Sequence, residues 1–196
     1  MHAPTPAPNL PPGDRRYLKQ QHTQHPEVQT HVPMMINTTR FGPFTVEDED
    51  VLHFPKGIPG FEGHTRWALA GEDDNPVKWI QSLTDGDVAL PVVTPHTFFP
   101  EYRIQLERAD LAFLKCETPD ALAMLVVVAI PSDRPWDASA NLRAPIVVNT
   151  ALRVARQIIL DDEDLSLQTP ILPPELREKM MRTAPAASPE AAEGSD

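Results

Sequence analysis

Seven histidines, one cysteine and three runs of carboxylates are the side chains of this 196-residue sequence best suited to catalysis or metal binding. Their spacing argues against both. His53, His64 and His96 are the candidate general bases, and each stands without a neighbouring carboxylate to orient it, so each reads as a packed or surface residue. The serines between residues 34 and 172 are Ser82, Ser132, Ser139 and Ser166, and none sits in a nucleophile elbow. His22 and His25 have a spacing that admits a metal, but no cysteine or carboxylate cluster accompanies them. Cys116, in the apolar context Phe113-Leu114-Lys115-Cys116, reads as a small buried hydrophobe. There is no phosphate loop, no dinucleotide turn and no paired-cysteine zinc pattern. The expectation is a protein with no catalytic residue, no metal and no cofactor.

The acidic runs are Glu47-Asp48-Glu49-Asp50, Asp161-Asp162-Glu163-Asp164 and the looser Glu72-Asp73-Asp74. A calcium loop places oxygen ligands at alternate positions around a central glycine, whereas contiguous acids point in divergent directions. Each run alone reads as a solvated turn. Together, on a chain with 28 acidic and 17 basic residues and a formal charge of -11, the first two suggest a negative face that steers a basic partner. The same charge repels phosphate, so direct nucleic-acid binding is not expected. One cysteine makes no internal disulfide, which fits a reducing cytosol. No cationic start followed by an apolar run marks a secretory signal. The longest apolar run, residues 121–130, is too short to span a bilayer and stops at Pro131, so no membrane contact is expected.

The elements that must position these residues read as short strands. Prolines crowd both ends of the sequence, which contains 23 of them. Residues 1–33 are therefore expected to be a disordered Pro/Gln/His-rich extension, residues 34–172 a single folded domain, and residues 173–196 a short helix entered through proline and then a disordered tail. Met34 and Met35 stand where the ordered part begins, and a translation start there is the corresponding expectation. A hairpin is expected from Ile36 to Val46, turning at Gly42-Pro43. Further strands are expected at Arg66–Ala70, Val77–Leu83, Val88–Thr94, Glu101–Leu106, Ala121–Ile130, Ala144–Asn149 and Val154–Leu160. Asp85-Gly86 reads as a hairpin turn, and Pro91 places its strand at an edge or a bulge. Glu107–Leu114 reads as one short helix. Pro55 to Gly63, with Pro or Gly at most alternate positions, reads as a shaped loop presenting exposed or half-buried Ile58 and Phe61. Many short strands without alternating long helices predict an all-β fold: a single small barrel-like antiparallel domain with one or two short helices.

Two strings stand apart. One is His53-Phe54-Pro55-Lys56-Gly57-Ile58-Pro59-Gly60-Phe61. The other is Asn141-Leu142-Arg143-Ala144-Pro145-Ile146-Val147-Val148-Asn149, in which asparagines bracket an apolar strand. The asparagines read either as turn-closing side chains or as the border of a groove. With Ile36-Asn37-Thr38, Phe41-Gly42 and Ala155-Arg156-Gln157-Ile158-Ile159-Leu160, these strings resemble the FliW family of flagellar assembly factors in order and spacing, from about Met34 to Leu172. The N-terminal extension, Asp85-Gly86-Asp87 in place of a usual Asp-Pro, Pro91 in place of an aromatic, and the Met- and Ala-rich tail depart from the family pattern. The resemblance implies a small all-β, non-enzymatic, cytosolic domain with two protein partners. One is flagellin, held before export. The other is CsrA, a translational repressor of flagellin mRNA that freed FliW antagonises. It carries over no catalytic residues. The expected partner surface is the acidic face of Glu47, Asp48, Glu49, Asp50, Asp161, Asp162, Glu163 and Asp164. An apolar loop and strand of Ile58, Pro59, Phe61, Asn141, Leu142 and Asn149 completes it. An enzyme or cofactor-binding small barrel, of the flavin type for example, and a flagellin export chaperone without CsrA binding are the competing readings.

Overall fold

The structure is a computed structural model that describes residues 33–72, 74–117 and 121–183. The expectations for the His-rich extension up to Val32, including His22 and His25, and for the tail beyond Thr183 lie outside the described residues.

The described residues open with a two-stranded hairpin, β1 (Met34–Thr38) and β2 (Gly42–Val46). The turn comes earlier than Gly42-Pro43, because Thr38 closes it with its own side chain. The Thr38 hydroxyl donates to the Gly42 carbonyl at 3.0 Å and accepts from the Phe41 N–H at 3.0 Å. Gly42, with φ +67°, then starts β2 and Pro43 pairs with Asn37.

The main sheet runs in the order β10-β9-β7-β6-β5-β4-β3 and every pairing in it is antiparallel. Its strands are β3 (Val51–His53), β4 (Arg66–Ala70), β5 (Lys78–Ser82), β6 (Ala89–Val93), β7 (Leu122–Ala129), β9 (Ile146–Asn149) and β10 (Ala155–Gln157). Short β8 (Ser139–Ala140) pairs the far end of β7 and is itself paired by β11 (Thr169–Pro170). The α-helices among the described residues are α1 (Arg108–Phe113) and α2 (Pro174–Thr183). The all-β expectation holds.

One buried cluster explains the shape of the sheet. Leu52 from β3, Trp67 from β4, Ile80 from β5, Val92 from β6, Ile146 and Val148 from β9 and Ala155 from β10 pack together, with Phe54 and Ile58 from the loop after β3. The two outermost strands, β3 and β10, can share a cluster only if the sheet curls back on itself, the direction strand twist favours. The curl brings the edges to a single point of contact. His53 and Val154 form an isolated parallel bridge, and the His53 N–H donates to the Arg153 carbonyl at 2.7 Å. No ladder extends from that bridge, so the sheet does not close into a barrel.

Two further expectations are corrected. Pro91 does not mark an edge strand, since β6 lies between β5 and β7. The Ser82 N–H bonds to the Val88 carbonyl, so the antiparallel alternation turns the Pro91 nitrogen away from β5 and toward β7. The β7 ladder uses only Val92 and Val93, which spares the missing donor. Residues 101–106 form no strand. They run extended outside the sheet and are held by side chains, with Tyr102 in one outer cluster and Ile104 and Leu106 against another.

The Asp85-Gly86 turn joins β5 to β6 as expected, and it also docks the first hairpin. The Thr39 N–H donates to the Gly86 carbonyl at 3.1 Å, and a Cβ on Gly86 would stand 2.0 Å from the Asn37 carbonyl oxygen. Glycine is required there by close backbone approach.

Candidate partner-binding groove

Beyond the His53–Val154 bridge the two sheet edges part, and a groove of about 1080 Å³ opens between them. One wall is the loop after β3, with Lys56, Gly57, Pro59 and Glu62. The other is β10 and its continuation to Leu160, followed by the second acidic run. Arg103–Glu107 and Asp110 form the floor.

The loop wall is fixed by its own turns. Gly57 has φ +67° and Gly60 has φ +86°, conformations that glycine adopts without a Cβ penalty. The Gly57 N–H reaches the Phe54 carbonyl, the Phe61 N–H the Ile58 carbonyl and the His64 N–H the Phe61 carbonyl. Phe54 and Phe61 both meet Trp67 edge-on, at 6.2 and 6.1 Å between ring centres, and the Trp67 indole N–H donates to the His64 carbonyl at 2.7 Å. The loop is thus wrapped around a fully buried indole. The Gly60 N–H donates to the Glu62 carboxylate at 2.9 Å, which holds that carboxyl below its ordinary range.

The strand wall is an open sheet edge. The Ile158 and Leu160 N–H groups bond to the Pro145 and Arg143 carbonyls, continuing the β9 ladder past Gln157. By alternation, the N–H and C=O of Gln157 and Ile159 point the other way, and among the described residues they have no backbone partner. Ile159 is also 70% exposed.

The floor binds its own cations. Arg156 pairs with Asp110 at 3.1 Å and stacks 4.9 Å from the Phe113 ring centre, and Lys56 sits 5.7 Å from the same ring. Arg103 donates to the Pro100 and Tyr102 carbonyls. Asp110 in turn completes a capping box with Glu107 at the start of α1. Beneath the acidic end, the buried Tyr102 hydroxyl donates to the Leu142 carbonyl at 2.6 Å. Burial, and secondarily the Asp162 carboxylate, push the Tyr102 hydroxyl up to about 12.

The groove therefore gathers some of the expected site residues and not others. Pro59, Asp161, Asp162 and Glu163 line it. Glu47, Asp48, Glu49 and Asp50 do not; they are exposed before β3, where Asp50 faces Arg153 at 3.7 Å near the closed bridge. Asp164 is exposed and its N–H is taken by the Asp162 carboxylate. Ile58 is buried in the core at 2% exposure rather than displayed, and Phe61 is half-buried against the same core. Leu142 is buried. Asn141 and Asn149 act as turn-closers. Asn141 accepts from the Ala144 N–H, and the buried Asn149 accepts from Ala151 and Leu152 while donating to the Leu114 carbonyl. Cys116 is half-buried beside Leu114 and Val147. Sequence reading missed the Arg156–Asp110–Phe113 cluster, whose members are 46 positions apart at their widest hydrogen bond and carry no local signature.

One contact resembles catalytic chemistry. His64 Nδ1 and Ser82 Oγ lie 2.8 Å apart. Ser82 is fully buried and its Oγ accepts from the Thr84 and Asp85 N–H groups, so it closes the β5–β6 turn. Among the described residues, no group of three or more His, Cys, Asp or Glu could hold a metal ion. No helix among them is long and apolar enough to cross a membrane.

The sequence model of the FliW protein family matches residues 35–171. This chain belongs to the FliW family. It is 38% identical over 141 residues to the flagellar assembly factor FliW of Caldanaerobacter subterraneus subsp. tengcongensis, covering 71% of this chain and 93% of that one. Identity is 39% over 140 residues to the FliW of Syntrophus aciditrophicus, covering 71% and 88%. The crystal structure of a flagellar assembly factor FliW superimposes with a TM-score of 0.66 at 28% identity, covering 71% of this chain and 98% of that one. The groove walls fall inside the matched region, so they are part of a FliW fold and not of the extensions that flank it.

Proposed function

We propose that this flagellar assembly factor binds flagellin in the cytosol and, once flagellin is exported, binds the repressor CsrA and relieves its repression of flagellin mRNA. Membership of the FliW family carries the reading. The acidic character of the chain supports it: CsrA must present basic residues to RNA, and a formal charge of -11 favours such a partner electrostatically. Partner switching of this kind requires competition. If RNA and FliW occupy different surfaces of CsrA, linkage makes each weaken the other by the same factor. The protein acts by occupancy, and no bond is made or broken.

The test is calorimetric titration of the full chain with purified CsrA, in the presence and absence of flagellin. Binding to CsrA that flagellin suppresses is the expected result. Flagellin binding without CsrA binding would reduce the protein to an export chaperone, and no binding to either would overturn the reading.

A further inference from the structure

We infer that the open seam is a strand-addition site: it takes an extended, lysine- or arginine-bearing segment of a partner protein as a new strand along the free edge of β10. The inference deepens the partner reading above by naming the surface and the conformation of what it holds.

Three observations converge. The first is the edge itself. From Arg156 to Leu160 the chain is extended and bonded on one side only, a length of roughly 16 Å at the usual rise per residue. The outward N–H and C=O groups of Gln157 and Ile159 offer donors and acceptors at strand spacing, and such an edge is a template for another chain. Native proteins commonly block such edges with proline or charge, or cover them with a loop. Here the residues at the two outward positions are glutamine and isoleucine.

The second is the space beside that edge. The His53–Val154 bridge shows that this edge can accept a neighbour on this side, and the groove begins where that pairing stops. An added strand would continue the seam that the chain closes at one point only.

The third is charge. Six carboxylates line the groove against three cations. The cations are engaged by the chain: Arg156 by Asp110 and Phe113, Arg103 by two carbonyls, Lys56 by the Phe113 ring. Asp161, Asp162 and Glu163 at the mouth have no ion-pair partner among the described residues. A neutral or acidic strand would leave them uncompensated, and a basic one would neutralise them.

The test uses the full chain and a fluorescently labelled ten-residue peptide of alternating lysine and valine, followed by anisotropy. Ile159→Pro removes an N–H that bonds to nothing in the fold, so it should leave the melting temperature within a few degrees while weakening the peptide at least tenfold. Asp161→Lys with Glu163→Lys should weaken it further and flatten its salt dependence. Hydrogen exchange should show the Gln157 and Ile159 amides protected when the peptide is bound. Unchanged affinity of Ile159→Pro, unprotected amides at those two positions, or equal binding of a glutamate–valine peptide would each overturn the inference, as would no binding at millimolar peptide. The CsrA and flagellin titrations use the unsubstituted chain, so failure of that reading is separable from failure of this one.

Discussion

The two halves of one seam behave differently. At the closed half, β3 and the residue before β10 meet through a single backbone bridge, flanked by exposed Asp50 and half-buried Arg153. At the open half the same two edges diverge around a groove, and their separation is maintained by buried machinery: glycines in left-handed conformations, an indole wrapped by its loop, and an arginine held by a buried aspartate and a phenyl ring. At the closed half, Leu52, Val148 and Ala155 of the shared core bring the edges together beside that bridge. Where the sheet is held apart, the chain commits core residues as well. The difference teaches that the gap is a built feature and not a fraying of the sheet.

The comparison breaks first at Gly57. An alanine Cβ there would stand 2.5 Å from the Glu62 backbone, in a conformation that L residues disfavour. Gly57→Ala should cost roughly 2–4 kcal/mol by chemical denaturation, because strain and overpacking add. A cost below about 1 kcal/mol would mean that the loop wall is adaptable. Next comes Arg156→Ala, which leaves Asp110, 8% exposed, without its cation. A loss of about 1–3 kcal/mol is expected, kept at the low end by the partial exposure of Arg156.

Tyr102 sharpens the contrast through pH. Its folded-state pKa, about 12, lies above the ordinary value of 10, so its contribution to stability is complete below pH 10 and is lost as pH rises toward 12. The native chain should lose stability across that window. Tyr102→Phe should remove this component of the slope, at a cost of about 1–2 kcal/mol at neutral pH for the lost bond to Leu142. Unchanged alkaline unfolding in the variant would remove Tyr102 from the account. The closed half should respond least. Asp50→Ala should change stability by less than about 0.5 kcal/mol, as exposed pairs do. Arg153→Gly should be neutral or stabilising by about 0.5–1 kcal/mol, since Arg153 sits at φ +55°.

Much of the fold was legible from local patterns. Arg66–Ala70 is a short apolar run before a turn and is β4; Asp85-Gly86 turns the β5–β6 hairpin; Glu107–Leu114 contains α1. Such features depend on residues within a few positions of one another. The misread places depend on distant partners. Residues 101–106 have strand composition, yet they pair with no strand and are held by their side chains against the outer clusters. Pro91 reads as an edge or a bulge because a proline lacks a donor, but its strand is interior and the neighbouring ladder stops one residue short of needing that donor. Ile58 looked displayed because its neighbours are turn formers; the loop folds it inward onto Trp67 and the core.

For the site, the sequence by itself marked Pro59 and the Asp161–Glu163 run, because proline-glycine loops and contiguous acids are recognisable without coordinates. It also pointed to the family, through strings that lie within the matched residues 35–171. Only the tertiary structure decided that these two segments face each other across one groove while Glu47–Asp50 do not. It alone decided that the edge of β10 stays unpaired. The physical reason is that curl and closure of a sheet are set by the summed twist and packing of all its strands, a quantity that no short stretch of sequence carries.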